Sequence, residues 1–255
     1  MSELLLDLFC GGGGCTRGYQ QAGFTVIGVD VAPQPRYVGS GFIQRDAIDW
    51  LRWAAGEAGE PAWFAHLIGY HQRLLTKPGR FTVVHASPPC TDHTQLKAVN
   101  GVCGTGWMLA EAQRLLPKIH DLHGCHWVVE NVPLADMPGA VTICGASMGC
   151  WADTTTHGQV WLKRHRLFQS SVPLMIPPCN CGGVKKLAPV YGHMGHAIKS
   201  DGQHKRIIRG PGTTAACRMV MGIDWMNNKE LVQAIPPAYT RMVGNQIRDY
   251  LEATR

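Results

Sequence analysis

The sequence predicts an α/β fold, a mostly parallel sheet with helices on both faces, and three observations predict it. Short apolar runs rich in β-branched residues alternate with helical or turn-rich stretches, the pattern of buried strands joined by crossover helices. A run of four glycines stands directly after the first apolar run, where open α/β sheets place a ligand-binding turn. The chain of 255 residues is 45% hydrophobic and only 16% charged, enough to bury one substantial core with room for a small appended module.

The strands are expected at "LLLDLF" (4–9), "FTVIGVD" (24–30), "FTVVHA" (81–86), "HWVVEN" (126–131) and "AVTICG" (140–145). "CTRGYQQAG" reads as the helix after the glycine turn, and 106–123 has helical apolar spacing apart from Pro117. From 169 to 212 the pattern gives way to prolines, glycines and lysines without a period, which predicts a small loop-rich region of its own. "TTAACRMVMGIDWM" and "NKELVQAIPPAYTRMVGNQIRDYL" then resume helical spacing. The expected organisation is a main domain over 1–168, a recognition-type region over 169–212, and a segment over 213–255 that completes the main domain.

Charge is unevenly spread. Between Lys163 and Arg218 ten Lys/Arg face one acid, Asp201, a local net of +9 in a chain whose formal net is +6. Such a stretch points to a polyanion partner, because neutralising phosphates releases condensed counterions. The opening "MSELLLDLF" lacks a basic segment followed by a long apolar run, and no stretch approaches the ~20 apolar residues of a membrane helix. The expectation is a cytoplasmic monomer of a prokaryotic or phage-infected cell, with its ten cysteines free, catalytic or metal-bound.

Two stretches carry chemistry. "SPPC" (87–90) ends the 81–86 strand, and Pro88 and Pro89 stiffen the mount on which Cys90 is presented. In "DLFCGGGG" (7–14) neither G-x-G-x-x-G nor G-x-x-x-x-G-K-[ST] can be laid on the glycines. Three carboxylates accompany the turn: Asp7, Asp30 at the end of the second strand, where a ribose diol would be held, and Asp46, placed to accept from an exocyclic amine. Three carboxylates and no phosphate lysine suit an adenosine ligand such as S-adenosylmethionine. Asp46 could equally cap a helix.

Taken in order, Asp7-Leu8-Phe9 with Gly11, Gly13 and Gly14, then Asp30, Arg45-Asp46, Pro88-Pro89-Cys90, Glu130-Asn131-Val132, Arg164-His165-Arg166 and Gly244-Asn245 resemble the DNA cytosine carbon-5 methyltransferases. That family's series runs D-L-F-x-G-x-G-G, an acid, G-D, P-P-C, E-N-V, Q-x-R-x-R and G-N. Here Leu162 stands at the glutamine of Q-x-R-x-R, and Thr91 and His93 replace the usual residues after the cysteine. The resemblance implies a Rossmann-like methyltransferase sheet that binds S-adenosylmethionine through Asp7, Phe9, Cys10, Gly11, Gly12, Gly13, Gly14, Asp30, Val31, Asp46, Ala47, Pro89, Asn245 and Gln246.

By the same resemblance Cys90 adds to carbon 6 of a flipped-out cytosine in double-stranded DNA, Glu130 with Asn131 holds the base, and Arg164 and Arg166 stabilise developing charge. Thr94 and Lys97, in the loop after Cys90, are expected to touch backbone phosphate, as are Lys163, Lys185, Lys186, Lys205, Arg206 and Arg209. The nearest rivals are a methylase of cytosine in transfer RNA, a free-nucleotide methylase and a non-catalytic DNA-binding relative. Cys179 and Cys181 in "CNC", with "HMGH" (193–196), have ligand chemistry, but C-x-C is not the usual two-residue spacing, so no metal is expected.

Overall fold

The computed structural model of the chain describes residues 3–67, 69–89, 106–191 and 207–254. Seven strands form the main sheet: β1 (Leu4–Leu8), β2 (Thr25–Asp30), β3 (Gly41–Gln44), β4 (Val83–Ala86), β5 (His126–Asn131), β6 (Val141–Ile143) and β9 (Arg166–Ser170), in the order β3-β2-β1-β4-β5-β9-β6. The first five run parallel, and β9 lies antiparallel between β5 and β6. The order reverses between β1 and β4, and at such a switch point the strand-end loops diverge and leave a crevice. A separate hairpin is made by β7 (Trp151–Thr154) and β8 (Gly158–Trp161).

Strand alternation builds two cores. Leu5, Val26, Val83 and Val128 face one side, covered by α1 (Gly14–Gln21) and the long C-terminal helix α7 (Pro237–Ala253). Leu6, Ile27, Val84 and Val129 face the other, covered by α2 (Ala47–Ala54) and α4 (Trp107–His123), while α3 (Tyr70–Leu74) packs near β3. Both faces of these strands are therefore dry, which is why they read as continuous apolar runs rather than alternating ones.

The same period of two carries a polar layer. Asp7 pairs with Gly28 and His85 in register, and Glu130 lies two residues beyond Val128, so Asp7, His85 and Glu130 all share the face that α1 covers. Helix α1 can come this close because Gly18 has no side chain: a Cβ there would lie 2.1 Å from Thr240 Oγ1 and 2.2 Å from the Pro237 carbonyl.

The loop-rich region is stitched to the hairpin by isolated bridges, Trp161 to Leu187 and Leu187 to Ile207, and α5 (Thr213–Met221) packs on β7 and β8. The hairpin at 151–161 thus joins the expected 169–212 region from inside the expected main domain. The last strand of the main sheet, β9, straddles position 168. A short helix α6 (Asn228–Gln233), capped by reciprocal Asn227–Glu230 bonds, leads into α7. Among the described residues no helix is long and apolar enough to cross a membrane.

Candidate active site at the strand ends

The carboxyl ends of β1, β2, β4 and β5 open on one side of the sheet. Because β9 runs the other way, its first residue, Arg166, meets the last residues of β5. The glycine turn begins at Phe9, the one described non-glycine residue with positive φ (59°), and continues through Gly11 (49°) and Gly13 (85°). Phe9 in that conformation is the kind of backbone strain that concentrates at ligand sites. A Cβ on Gly11 would meet nothing within 4 Å, so this part of the turn faces open space. Gly12 is held from the other side: its carbonyl accepts from Trp225 Nε1 at 2.9 Å, and Met226 packs against it.

Asp7 is fully buried beneath this turn. Its Oδ2 accepts from Thr16 Oγ1 at 2.5 Å, while Oδ1 has no hydrogen-bond partner. Burial, reinforced by the charges of Asp30 and Glu130, raises its carboxyl to about 7, against the Thr16 bond that opposes the shift. Asp30, at the end of β2, accepts from the amides of Gly11 (2.9 Å) and Ala32 (2.9 Å), so its carboxylate ties the two loops of the crevice together. Val31 beside it is 70% exposed, an apolar surface at the crevice mouth.

Glu130 and Asn131 end β5. Glu130 is only 5% exposed, and its Oε1 lies 3.1 Å from Arg166 Nε without a hydrogen bond of good geometry. Burial raises its carboxyl, while Arg166, Arg164 and a bond from Ser87 pull the other way. Asn131 Nδ2 donates to the carbonyl of Pro88 at 3.1 Å and its Oδ1 accepts from Val132 N, a clamp that fixes the "SPP" turn leading to position 90.

Behind Glu130 runs a buried chain that sequence reasoning missed. Tyr19 Oη lies 3.0 Å from His85 Nδ1, His85 Nε2 lies 2.7 Å from Ser87 Oγ, and Ser87 bonds Glu130. Burial pushes His85 down to about 3, so the imidazole is neutral and one of its nitrogens donates while the other accepts. With Tyr19 donating to Nδ1, the proton on Nε2 goes to Ser87, whose hydroxyl is then free to donate to Glu130. The signal for this chain was a histidine inside an apolar strand.

The predicted site residues divide by location. Asp7, Phe9, the Gly11–Gly14 turn, Asp30, Val31, Pro89, Glu130, Asn131 and Arg166 sit at or beside the strand ends. Cys10 turns its thiol inward, 7% exposed, and Ala47 is buried at the start of α2. Asp46, expected to accept from a ligand amine, is exposed and caps α2 through Oδ1, which accepts from Ile48 N at 2.8 Å. Arg164, expected to stabilise charge, gives Nη1 to the Val190 carbonyl (2.9 Å) and Nη2 to that of Val232 (2.7 Å). At 3% exposure it anchors backbone, and burial lowers it to about 9. Asn245 is exposed in the middle of α7, and Gln246 pairs its amide with both backbone groups of Met175.

Lys163 is partly buried beside the metal-ligand candidates described below, and Lys185, Lys186 and Arg209 are exposed. Cys90, Thr94, Lys97, Lys205, Arg206 and the "HMGH" stretch lie outside the described residues. Cys179 and Cys181 are brought together with Cys144 and His165, to which sequence reasoning gave no metal role.

No protein-family model and no curated protein matches this chain. Among solved structures, one described as a DNA modification methyltransferase encoded within a prophage (E. coli) matches with a TM-score of 0.51 at 10% identity, covering 98% of this chain and 100% of that one. A mutant of Spodoptera frugiperda DNMT2 matches with a TM-score of 0.51 at 10% identity, covering 97% of this chain and 100% of that one. The chain has the Rossmann-like methyltransferase fold.

Proposed function

We propose that this protein is an S-adenosylmethionine-dependent methyltransferase that modifies carbon 5 of a flipped-out cytosine in double-stranded DNA, with Cys90 as the nucleophile. The observation that carries the reading is Glu130: a carboxyl buried at a strand end, raised in pKa, facing Arg166, and adjoining a proline turn that Asn131 clamps just before the cysteine. Cytosine carbon 5 is a poor nucleophile until a thiolate adds at carbon 6, and that addition needs a proton delivered to ring nitrogen 3. Glu130 is the group that holds and gives this proton, with the Tyr19–His85–Ser87 chain fixing its orientation. Arg166 stabilises charge on the base's carbonyl oxygen; once carbon 5 carries the methyl group, its proton passes to solvent, the carbon 6–sulfur bond breaks to release the Cys90 thiolate, and the nitrogen-3 proton returns to Glu130.

The residues fit the cofactor. The strained turn from Phe9 to Gly14 faces open space at Gly11, and Asp7 Oδ1 is a buried oxygen without a donor, suited to an ammonium group. Asp30 and Val31 would hold the ribose and adenine ends. When bound, S-adenosylmethionine supplies an electrophilic methyl group. A polynucleotide rather than a mononucleotide is favoured by the basic stretch that includes Lys163, Lys185, Lys186 and Arg209, since a single nucleotide needs no such footprint.

The test is covalent trapping. Duplex DNA carrying 5-fluorocytosine should form a denaturation-resistant complex in the presence of cofactor, because fluorine blocks the final elimination. Cys90→Ser should abolish the complex while leaving cofactor binding intact. A complex that persists in the serine variant overturns Cys90 as nucleophile. Trapping of a fluorinated transfer RNA transcript, with none of the duplex, would move the substrate from DNA to RNA.

A further inference from the structure

We propose that Cys144, His165, Cys179 and Cys181 form a structural zinc site that fastens the loop-rich region to the main sheet. The four come from three separate places in the fold. Cys144 follows the last residue of β6, His165 precedes β9, and Cys179 and Cys181 lie on the loop that enters the short turn Cys181–Gly183. Their ligand atoms all fall within 4.8 Å of one another. His165 Nε2 is 3.3 Å from Cys179 Sγ and 3.6 Å from Cys181 Sγ, and the two sulfurs are 3.3 Å apart.

These separations are close to the edges of a ligand tetrahedron. With Zn–S near 2.3 Å and Zn–N near 2.0–2.1 Å, tetrahedral angles put sulfurs ~3.8 Å apart and sulfur and nitrogen ~3.6 Å apart. No disulfide uses the thiols, since all three cysteines are free. Three thiols and an imidazole make a soft, closed donor set that selects zinc over the oxygen-seeking cations. Three thiolates on one divalent ion leave a net charge of −1, and Lys163, whose charge acts on both Cys179 and His165, lies close enough to offset it.

The surroundings are arranged for a site. The Gly145 amide donates to the Lys163 carbonyl at 3.2 Å, which holds the Cys144 turn against the segment that carries His165. Ser147 Oγ donates to the Pro178 carbonyl (2.7 Å) and accepts from Asn180 N (3.1 Å), so the Cys144 turn and the Cys179 loop are already bonded together. Cys144 and Cys181 are buried and Cys179 is exposed, which leaves an entry path for the ion. The apolar contact at this corner is small, a cluster of three buried residues, Cys144, Ala146 and Cys181, flanked by Trp161 and Val184, whereas elsewhere in the loop-rich region Val172, Ala188, Val190 and Ile208 join the main core. A metal ion adds a local cross-link where the apolar contact is thinnest. His165 also sits between Arg164 and Arg166, so fixing its ring fixes the start of β9 from which Arg166 reaches Glu130.

This inference stands apart from the proposed reaction, and its test reads metal rather than turnover. The full-length protein, purified reduced from zinc-supplemented medium, should carry one zinc per chain by elemental analysis. Adding cobalt(II) to the chelator-stripped wild type should produce the intense visible bands of tetrahedral cobalt together with thiolate-to-metal charge transfer. The Cys179→Ser/Cys181→Ser double variant should lose both signals. Chelation should expose three additional reactive thiols and speed proteolysis within 171–190. Wild-type protein that holds no zinc and gives no tetrahedral cobalt spectrum overturns the proposal without reference to any variant, as does iron with acid-labile sulfide in place of zinc. Retention of one tightly held zinc by the double variant overturns it too.

Discussion

Replacing Asp7 with asparagine should flatten part of the pH dependence of stability, and the size of the effect follows from burial. The carboxyl moves from 3.8 to about 7 on folding. A folded-state pKa above the unfolded one means that the unfolded chain releases its proton first as pH rises, so stability is full below pH 4 and falls until about pH 7. At ~1.4 kcal/mol per pKa unit, a little under ~2 kcal/mol of this loss has accrued by pH 5 and a little over ~4 kcal/mol by pH 8, a difference that rounds to roughly 3 kcal/mol across the interval. Asparagine does not titrate. Its amide carries a pH-independent penalty of about 1–3 kcal/mol if an N–H is left unpartnered, and that cancels when each protein is compared with itself at two pH values. Urea unfolding of wild type and D7N at pH 5 and pH 8 should therefore show the variant gaining roughly 3 kcal/mol relative to wild type between the two, with equal m-values. Parallel pH profiles for the two proteins would refute the reasoning, because they would mean that Asp7 ionises as freely in the folded chain as in the unfolded one. Under the proposed cofactor assignment, saturating S-adenosylmethionine should expel the Asp7 proton near pH 6, a release that calorimetry in buffers of different ionisation enthalpy should detect in wild type and not in D7N.

Other expectations rest on single contacts. Ser87→Ala removes the hydroxyl that lowers the Glu130 carboxyl, so the limb of the kcat–pH profile assigned to Glu130 should move to higher pH, with kcat at neutral pH down by about 10- to 100-fold; an unmoved profile would detach Ser87 from the acid. Arg164 and Arg166 should separate cleanly. Arg166→Ala should cost activity through loss of the charge 3.1 Å from Glu130 and leave the fold standing, whereas Arg164→Ala should destabilise by about 2–5 kcal/mol because two backbone carbonyls lose their buried donor. Thermal melts beside kcat values would decide, and equal melting points for the two variants would sink the distinction. Gly18→Ala places a methyl 2.2 Å from the Pro237 carbonyl and must push α7 away from α1, for an expected loss of about 3 kcal/mol or more. A circular-dichroism melt unchanged from wild type would contradict that packing.

How much of this was legible in the sequence depends on burial. β1, β2, β4 and β5 are central, parallel and dry on both faces, and a strand of that kind writes itself as an apolar run that no surface helix imitates. β3 and β9 escaped notice for the converse reason. β3 is an edge strand with only Ile43 buried, and in β9 only Phe168 is, so "GFIQ" and "RLFQS" carry no run to detect. The hairpin β7–β8 exposes Trp151 and buries Ala152 and Val160, too short an alternation to stand out from the surrounding turns.

The site divides along the same line between local and long-range information. Glu130 and the proline turn were legible because each ends a strong strand, and a parallel sheet brings such ends to one side whatever the loops between them do. Asp46 shows the limit of this argument. Its position before "AIDW" satisfied a ligand acceptor and a helix cap equally well, and the local bond to Ile48 N, two residues away, is the one the structure makes. Arg164 and Arg166 share a parity, which in an extended chain predicts one common environment. Arg166 is the first residue of β9 and obeys the sheet, whereas Arg164 precedes it and is captured by carbonyls at 190 and 232, residues that no local pattern connects to it. The metal-ligand cluster is the extreme case. Cys179 and Cys181 have ligand chemistry, but their C-x-C spacing argued against a metal and the partners considered for them were at 193–196; the residues brought beside them lie at 144 and 165 and are delivered by the antiparallel return of β9 between β5 and β6, so the proposed site rests on the topology of the sheet and not on any spacing along the chain.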